Sequence, residues 1–232
     1  MSAGILRFIL SAAAAVCVLV GFVPMAEASC RDRPGPEVDW SGCSKQRLML
    51  SGMEMSNANF ERAFLSGGDF GSTTMTGANF VRTELARVSF LESDLSGANF
   101  EKALASRADF RGASLAGARL HKSEFIRVDL SGADLSDADM TNGDFIRVDF
   151  TGATLAGTNL SNAIVPRGVF VEADMSGANV TGAFLYRARF EGVDLSEVEG
   201  LTQMQLEESC GNSDTGLPAG LTQPANWPCN ED

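Results

Sequence analysis

The sequence predicts an all-β solenoid, a chain wound into stacked square coils. Three observations predict it. Between about Leu50 and Leu195 every fifth residue is apolar: Met55, Phe60, Leu65, Phe70, Met75 and Phe80 open a series that runs almost unbroken to Phe190 and Leu195, with Ala105 as its one small member. Two residues before nearly every member stands a small or β-branched side chain, from Ala58, Ala63, Gly68 and Thr73 to Ala183, Ala188 and Val193. Residues twenty apart also sort by type. The column Phe70, Phe90, Phe110, Leu130, Phe150, Phe170, Phe190 is nearly all aromatic, whereas Met55, Met75, Leu95, Leu115, Leu135, Leu155, Met175, Leu195 holds no ring.

A period of five fits neither a helix, which needs about 3.6, nor a strand, which needs 2. It requires a chain that turns a corner every five residues, and four corners close a coil of twenty. Such coils stack through backbone hydrogen bonds at about 4.8 Å. Rings then fill one wall and branched or flexible chains the next, at the density of a packed interior.

Units such as Ser96-Gly97-Ala98-Asn99-Phe100 and Ser131-Gly132-Ala133-Asp134-Leu135 resemble those of the pentapeptide-repeat proteins, whose pattern is A(D/N)LXX. The resemblance implies a right-handed quadrilateral β-helix, here of about seven coils at ~4.8 Å each. It names no activity, because one fold hosts many functions.

The flanks divide the rest of the 232 residues. Residues 1–28 read as a secretory signal: Arg7, an uncharged run from Phe8 to Val23, then Ala26-Glu27-Ala28, with cleavage expected after Ala28. The apolar run, about 16 residues, is shorter than the roughly 20 a membrane span needs. No stable span is expected after cleavage, and the localisation expected is periplasmic or secreted. A lipoprotein processed at Cys30 is the lesser reading, since Glu27 stands where such signals carry an aliphatic residue.

Residues 29–47 read as an N-terminal disulfide-looped cap, 48–199 as the β-helix, and 200–232 as a C-terminal helix and disulfide-closed tail. Cys30 and Cys43 flank one end of the repeats, Cys210 and Cys229 the other. A disulfide needs Cα atoms within about 7 Å, and the rod holds the two pairs much farther apart. The expected bonds are therefore Cys30–Cys43 and Cys210–Cys229. Spacing and convergence do not suit a four-thiolate metal site, and no metal or cofactor is expected.

Trp40 is expected to lid the first coil. Thr202 and Gln205 have the spacing of a capping box, which predicts a helix over roughly 203–210 that lays Met204 and Leu206 on the last coil. Gly211 suits its stop. The remaining tail, rich in Gly, Pro and Asn, is expected to be irregular, with Trp227 packed inward.

With apolar residues used inside, any binding chemistry belongs to outward positions. Six arginines recur at intervals of twenty: Arg87, Arg107, Arg127, Arg147, Arg167 and Arg187. One reading is a ladder of surface ion pairs with Asp109, Asp129 and Asp149 two residues on, each worth about 0–1 kcal/mol. The other is a docking strip for an anionic partner, which guanidinium forks suit. A second column, Asn59, Asn79, Asn99, Asn159, Asn179, is read as structural, because Asn bonds nearby backbone in tight turns.

The net charge of −12 argues against nucleic-acid binding. One histidine (His121), no nucleophile elbow, no phosphate loop and no expected pocket argue against catalysis. The function expected is a non-enzymatic exported scaffold that binds a protein or an anionic envelope component through one face. The alternative comes from the resemblance: some cytoplasmic pentapeptide-repeat proteins are acidic rods that imitate DNA and bind topoisomerases. That alternative requires a cytoplasmic location.

Overall fold

A corner every five residues forces each inward side chain to share a wall with the one twenty residues on, and the computed structural model shows this pairing throughout. It describes residues 29–229; the expected signal, 1–28, lies outside the described residues. Parallel bridges join residues twenty apart from Asp39↔Asn59 to Asn179↔Glu199. Each coil bonds both neighbours: Phe100 N–H donates to Arg119 O at 2.7 Å, and Asn99 N–H to Ala78 O at 2.9 Å.

The corners follow from local chemistry. The inward residue's carbonyl accepts from the N–H three residues on, as in Ala63 to Phe60 (2.9 Å) and Ala98 to Leu95 (2.9 Å). Between them one residue takes a left-handed backbone, with φ +65° at Gly97 and +63° at Gly117. At two of these turns the ring that follows leaves no room for a side chain on the closing residue. A Cβ added to Gly143 would stand 2.7 Å from Phe145 Cε2, and one on Gly68 would stand 2.7 Å from Phe70 Cε2. Buried hydroxyls at this position satisfy carbonyls of the coil below: Thr83 donates to Phe60 O at 2.7 Å and Thr158 to Leu135 O at 2.8 Å.

The core is a stack of rings and aliphatic chains. Phe80 and Phe100 lie parallel with centroids 4.6 Å apart, and Phe150, Phe170 and Phe190 stack at 4.8 and 5.0 Å. Neighbouring columns meet edge to face, as at Phe80–Phe90. Where Ala105 leaves space, Phe125 from the next coil packs against Phe100 and Phe110 at 6.1 and 5.5 Å.

Both ends differ from expectation. The coil starts before residue 48: Glu37 N–H already bonds Ser56 O, and Ser44 bridges Phe64. Trp40 is thus the first member of the Phe60 column, edge-on to Phe60 at 6.0 Å, rather than a lid carried by a separate loop. Cys43 takes a small inward position of that first coil and is buried. The disulfides are Cys30–Cys43 and Cys210–Cys229.

At the other end α1, Gln203–Glu208, is shorter than the sequence implied. Thr202 and Gln205 form the capping box, and Gln205 Nε2 also donates to Val180 O and Ala183 O. Val180 O also accepts from Ala183 N–H, so without Gln205 it is the Ala183 carbonyl that would lose its donor, at about 1–3 kcal/mol. Leu206 is buried, but Met204 is 71% exposed, because the helix meets the coil through its 205–206 side only. The following segment is irregular from residue 217 onward, as expected, but not before it. Cys210 bridges Arg189 and Gly216 bridges Asp194, so the chain resumes the coil one and then two residues out of step. Trp227 closes this end, with Nε1–H donating to Ser209 O at 2.9 Å.

Candidate functional site

On three of the four faces the residue before the inward one is mostly Asn, Asp, Ser or Thr. Its side chain turns back to the backbone N–H two residues on. Asn59, Asn99, Asp94, Asp134, Asp129 and Asp149 all accept this bond at 2.9–3.1 Å. The Asn column is therefore structural, and it adds a ladder of its own from Asn79 through Asn59 to Asp39, each step 3.0 Å.

Those bonds have an electrostatic consequence. The Ser96 hydroxyl, its backbone N–H and Thr76 hold the Asp94 carboxyl below its ordinary value of 3.8. The Ser176 and Ser196 backbone N–H groups and hydroxyls do the same for Asp174 and Asp194, and Arg111 does so for Asp109. A folded-state pKa below the unfolded one gives stability that is complete above the unfolded value and is lost as pH falls through the folded one. The thermal midpoint should accordingly be level between about pH 7 and 5 and fall below about pH 4. A melting series across pH checks this; a midpoint that rises below pH 4 would refute it.

The fourth face is different. It carries the inward column Leu65, Leu85, Ala105, Phe125, Phe145, Val165 and Leu185. Here the preceding position reads Phe64, Glu84, Leu104, Glu124, Asp144, Ile164, Phe184, and the following one includes Ala86, Ile126, Ile146 and Tyr186. The backbone runs straighter on this face. It holds β1 (Leu104–Ser106), β2 (Glu124–Ile126) and β3 (Asp144–Ile146), a parallel three-stranded sheet in the order β1-β2-β3. A shallow depression of 190 Å³ lies over it, lined by Glu84, Ala86, Leu104, Ala105, Ser106, Glu124 and Ile126.

One edge of this face is the arginine column. Each member sits on a left-handed corner: φ is +55° at Arg87, +52° at Arg107, and +56° at Arg127 and Arg147. A side chain there costs about 1–2 kcal/mol, which the glycines at Gly97, Gly117 and Gly177 on another edge avoid. Among the described residues, none of Arg87, Arg107, Arg127, Arg147 and Arg167 makes an ion pair with a carboxylate. The expected pairing with Asp109, Asp129 and Asp149 fails because those carboxylates are engaged in their own turns. Asp109 forks onto Arg111 (2.9 and 2.7 Å), and Asp129 and Asp149 accept from Ser131 and Thr151. Arg187, half-buried, sits beside the C-terminal helix, where its N–H donates to Glu208 O.

The other edge carries Arg62, Arg82, Lys102 and Lys122 on left-handed corners. This edge is mixed in charge: Arg62 pairs with Glu61 and Lys102 with Glu101, which lowers the Glu101 pKa. Sequence reading missed the apolar strip and this second cationic column, although both show the same twenty-residue recurrence as the core. His121 bonds Thr141 across one coil step and takes no part in the face.

Comparison with known proteins gives a consistent picture of the repeats. The family profile described as pentapeptide repeats matches in eight copies, over residues 54–90, 93–132, 129–165 and 169–199. No curated protein sequence matches. Among solved structures the chain is similar to HetL from Nostoc sp. strain PCC 7120, a pentapeptide-repeat protein involved in heterocyst differentiation regulation. Identity is 19% over 83% of this chain and 87% of that one, with a TM-score of 0.29. It is also similar to a trypsin-treated form of QnrB1, a plasmid-mediated fluoroquinolone resistance protein, at 18% identity over 77% and 85%, TM-score 0.42. A pentapeptide-repeat protein of the Arabidopsis thaliana thylakoid lumen matches at 22% identity over 47% and 69%, TM-score 0.25. The eight repeat copies cover more than half of the sequence, and the chain belongs to the pentapeptide-repeat family.

Proposed function

We propose that the chain is an exported, non-enzymatic scaffold, a rigid rod of stacked coils, that binds a protein or an anionic envelope component through its arginine-edged face. The observation that carries this reading is the arginine column itself. A solvated edge is built more favourably with Gly at left-handed corners. Here five exposed guanidinium groups stand one coil apart with no carboxylate neutralising them. The two disulfides and the signal-like residues 1–28 support export.

Replacing Arg107, Arg127, Arg147 and Arg167 by Ser should shift the thermal midpoint by no more than about 2 °C, since exposed unpaired charges contribute little to stability. A photo-crosslinking residue placed at position 127 should capture a partner in the envelope, and one at Ser136, on another corner, should not. Equal capture from both positions, or none from 127, would refute the reading.

A second reading, an acidic DNA mimic that binds a topoisomerase, draws on the −12 charge and on the aspartates that recur along two faces. It requires an uncleaved cytoplasmic protein, so cell fractionation decides between the two.

A further inference from the structure

Among the described residues, most of the large apolar side chains that are exposed lie on a single face. Leu104, Ile164, Phe184 and Phe64 are 43, 42, 46 and 39% exposed in one column, and Tyr186, 46% exposed, stacks on Phe184 at 6.0 Å. Ile126 and Ile146 stand half-buried in the parallel column next to the arginines. The equivalent positions of the other faces hold mainly side chains that bond their own turns. Glu84, Glu124 and Asp144 interrupt that column, but Ala86, Ile126 and Ile146 in the parallel column fill those levels, so every coil from Phe64 to Phe184 presents an apolar side chain. An apolar strip of this kind on a small protein marks an interaction surface.

We infer that this strip seats an amphipathic helix of a partner protein, with the helix axis along the rod and a row of carboxylates on the flank that faces Arg107, Arg127 and Arg147. The inference rests on the scaffold reading above and specifies its partner. Three observations select this occupant. Length comes first: six steps of twenty residues separate Phe64 from Phe184, about 29 Å at ~4.8 Å per coil, the length of a helix of about 19 residues. The coil spacing is also close to the helix pitch of about 5.4 Å, so each helical turn meets one coil. Backbone comes second. The N–H and C=O groups of this face are used in coil-to-coil bonds, such as Leu85 N–H to Leu104 O and Arg107 N–H to Ile126 O, which leaves no edge for an added strand.

Charge comes third. Among the described residues Arg107, Arg127 and Arg147 make no ion pair with a carboxylate, whereas Glu84, Glu124 and Asp144 alternate with the apolar side chains in the strip's column farther from the arginines, beside Arg82 and Lys122. Carboxylates on one flank of the helix answer the arginine edge, and the other flank can be mixed. A lipid surface fits less well, because those three acids would enter its apolar layer. A second copy of the chain fits less well too, because like faces would set cationic corners against cationic corners.

The test uses the protein expressed from its full coding sequence and a labelled helical peptide of about 19 residues. The peptide has an Ile/Leu stripe and Glu along one flank; its counterpart carries Lys in place of Glu. The Glu peptide should bind at least tenfold more tightly, and the gap should shrink in high salt. The Ile126→Ser/Ile146→Ser and Arg107→Gln/Arg127→Gln/Arg147→Gln variants should each lose at least tenfold with unchanged melting. Equal binding of the two peptides, or none, overturns the inference. So does binding to phosphatidylglycerol vesicles without peptide binding, and so does self-association seen in sedimentation that the same variants abolish. Crosslinks from position 127 that persist while the peptides fail would leave the scaffold reading standing and remove only the helix.

Discussion

Phe100→Ala should lower unfolding free energy by about 3–5 kcal/mol, the range for emptying a buried ring site. Phe100 is fully buried. It lies flat on Phe80 at 4.6 Å and meets Phe90, Phe110 and Phe125 edge-on at 6.4, 6.0 and 6.1 Å. The walls cannot collapse into the vacancy, because every coil is tied to its neighbours by backbone bonds on all sides. The site also sits where the core is thinnest, one corner before Ala105. In a solenoid each coil is stabilised mainly by its neighbours, so a hole at this level weakens the coupling between the two halves of the rod. Urea unfolding followed by circular dichroism should show an earlier midpoint and a broadened transition. Phe184→Ala, which removes a ring that is 46% exposed, should cost far less. A loss below about 1 kcal/mol at Phe100 would mean that the stack is not what holds the coils together.

The same periodicity explains how much of this was legible in the sequence. A residue that must point inward every fifth position leaves an unmistakable signal, so the walls, the turn-closing small residues and the sorting of Phe from Leu could be read directly. The capping box and the two disulfides followed from local spacing and from the geometry of a rod. The ends were harder. Lys45 occupies an inward apolar position and meets the Trp40 ring at 3.9 Å, which disguises the first coil as a cap. After Leu195 the inserted helix puts Cys210 and Gly216 out of phase with the twenty-residue repeat, so their place in the coil does not show.

The candidate site was half legible. The arginine column is visible because one residue type recurs. Its lack of carboxylate partners is not, because spacing cannot say that Asp129 and Asp149 bond Ser131 and Thr151 instead. The apolar strip escaped because Phe64, Leu104, Ile164 and Phe184 alternate with acids in the same column. Only the contrast with the Asx-turn columns of the other faces gives it away.

Removing the Cys210–Cys229 bond should expose the C-terminal end of the rod. A Cys210→Ser/Cys229→Ser variant loses a crosslink across 19 residues, worth about 3 kcal/mol in the chain-entropy picture. The local effect should exceed that figure in consequence, because the bond holds the segment that carries Trp227. Trp227 covers Gly211 so closely that a Cβ added there would run into its ring, and its indole N–H satisfies Ser209 O. Without that cover, the carbonyls and side chains of the last coil face water as an open coil end, which invites edge pairing. Hydrogen exchange should therefore quicken first from about residue 180 to 216, while the coils around Phe100 keep their protection. The variant should also associate at concentrations where the parent stays dispersed. Uniform loss of protection along the rod would show that the end is not a separate closure. Unchanged exchange near Leu195 would show that Leu206 and Gln205 suffice without the disulfide.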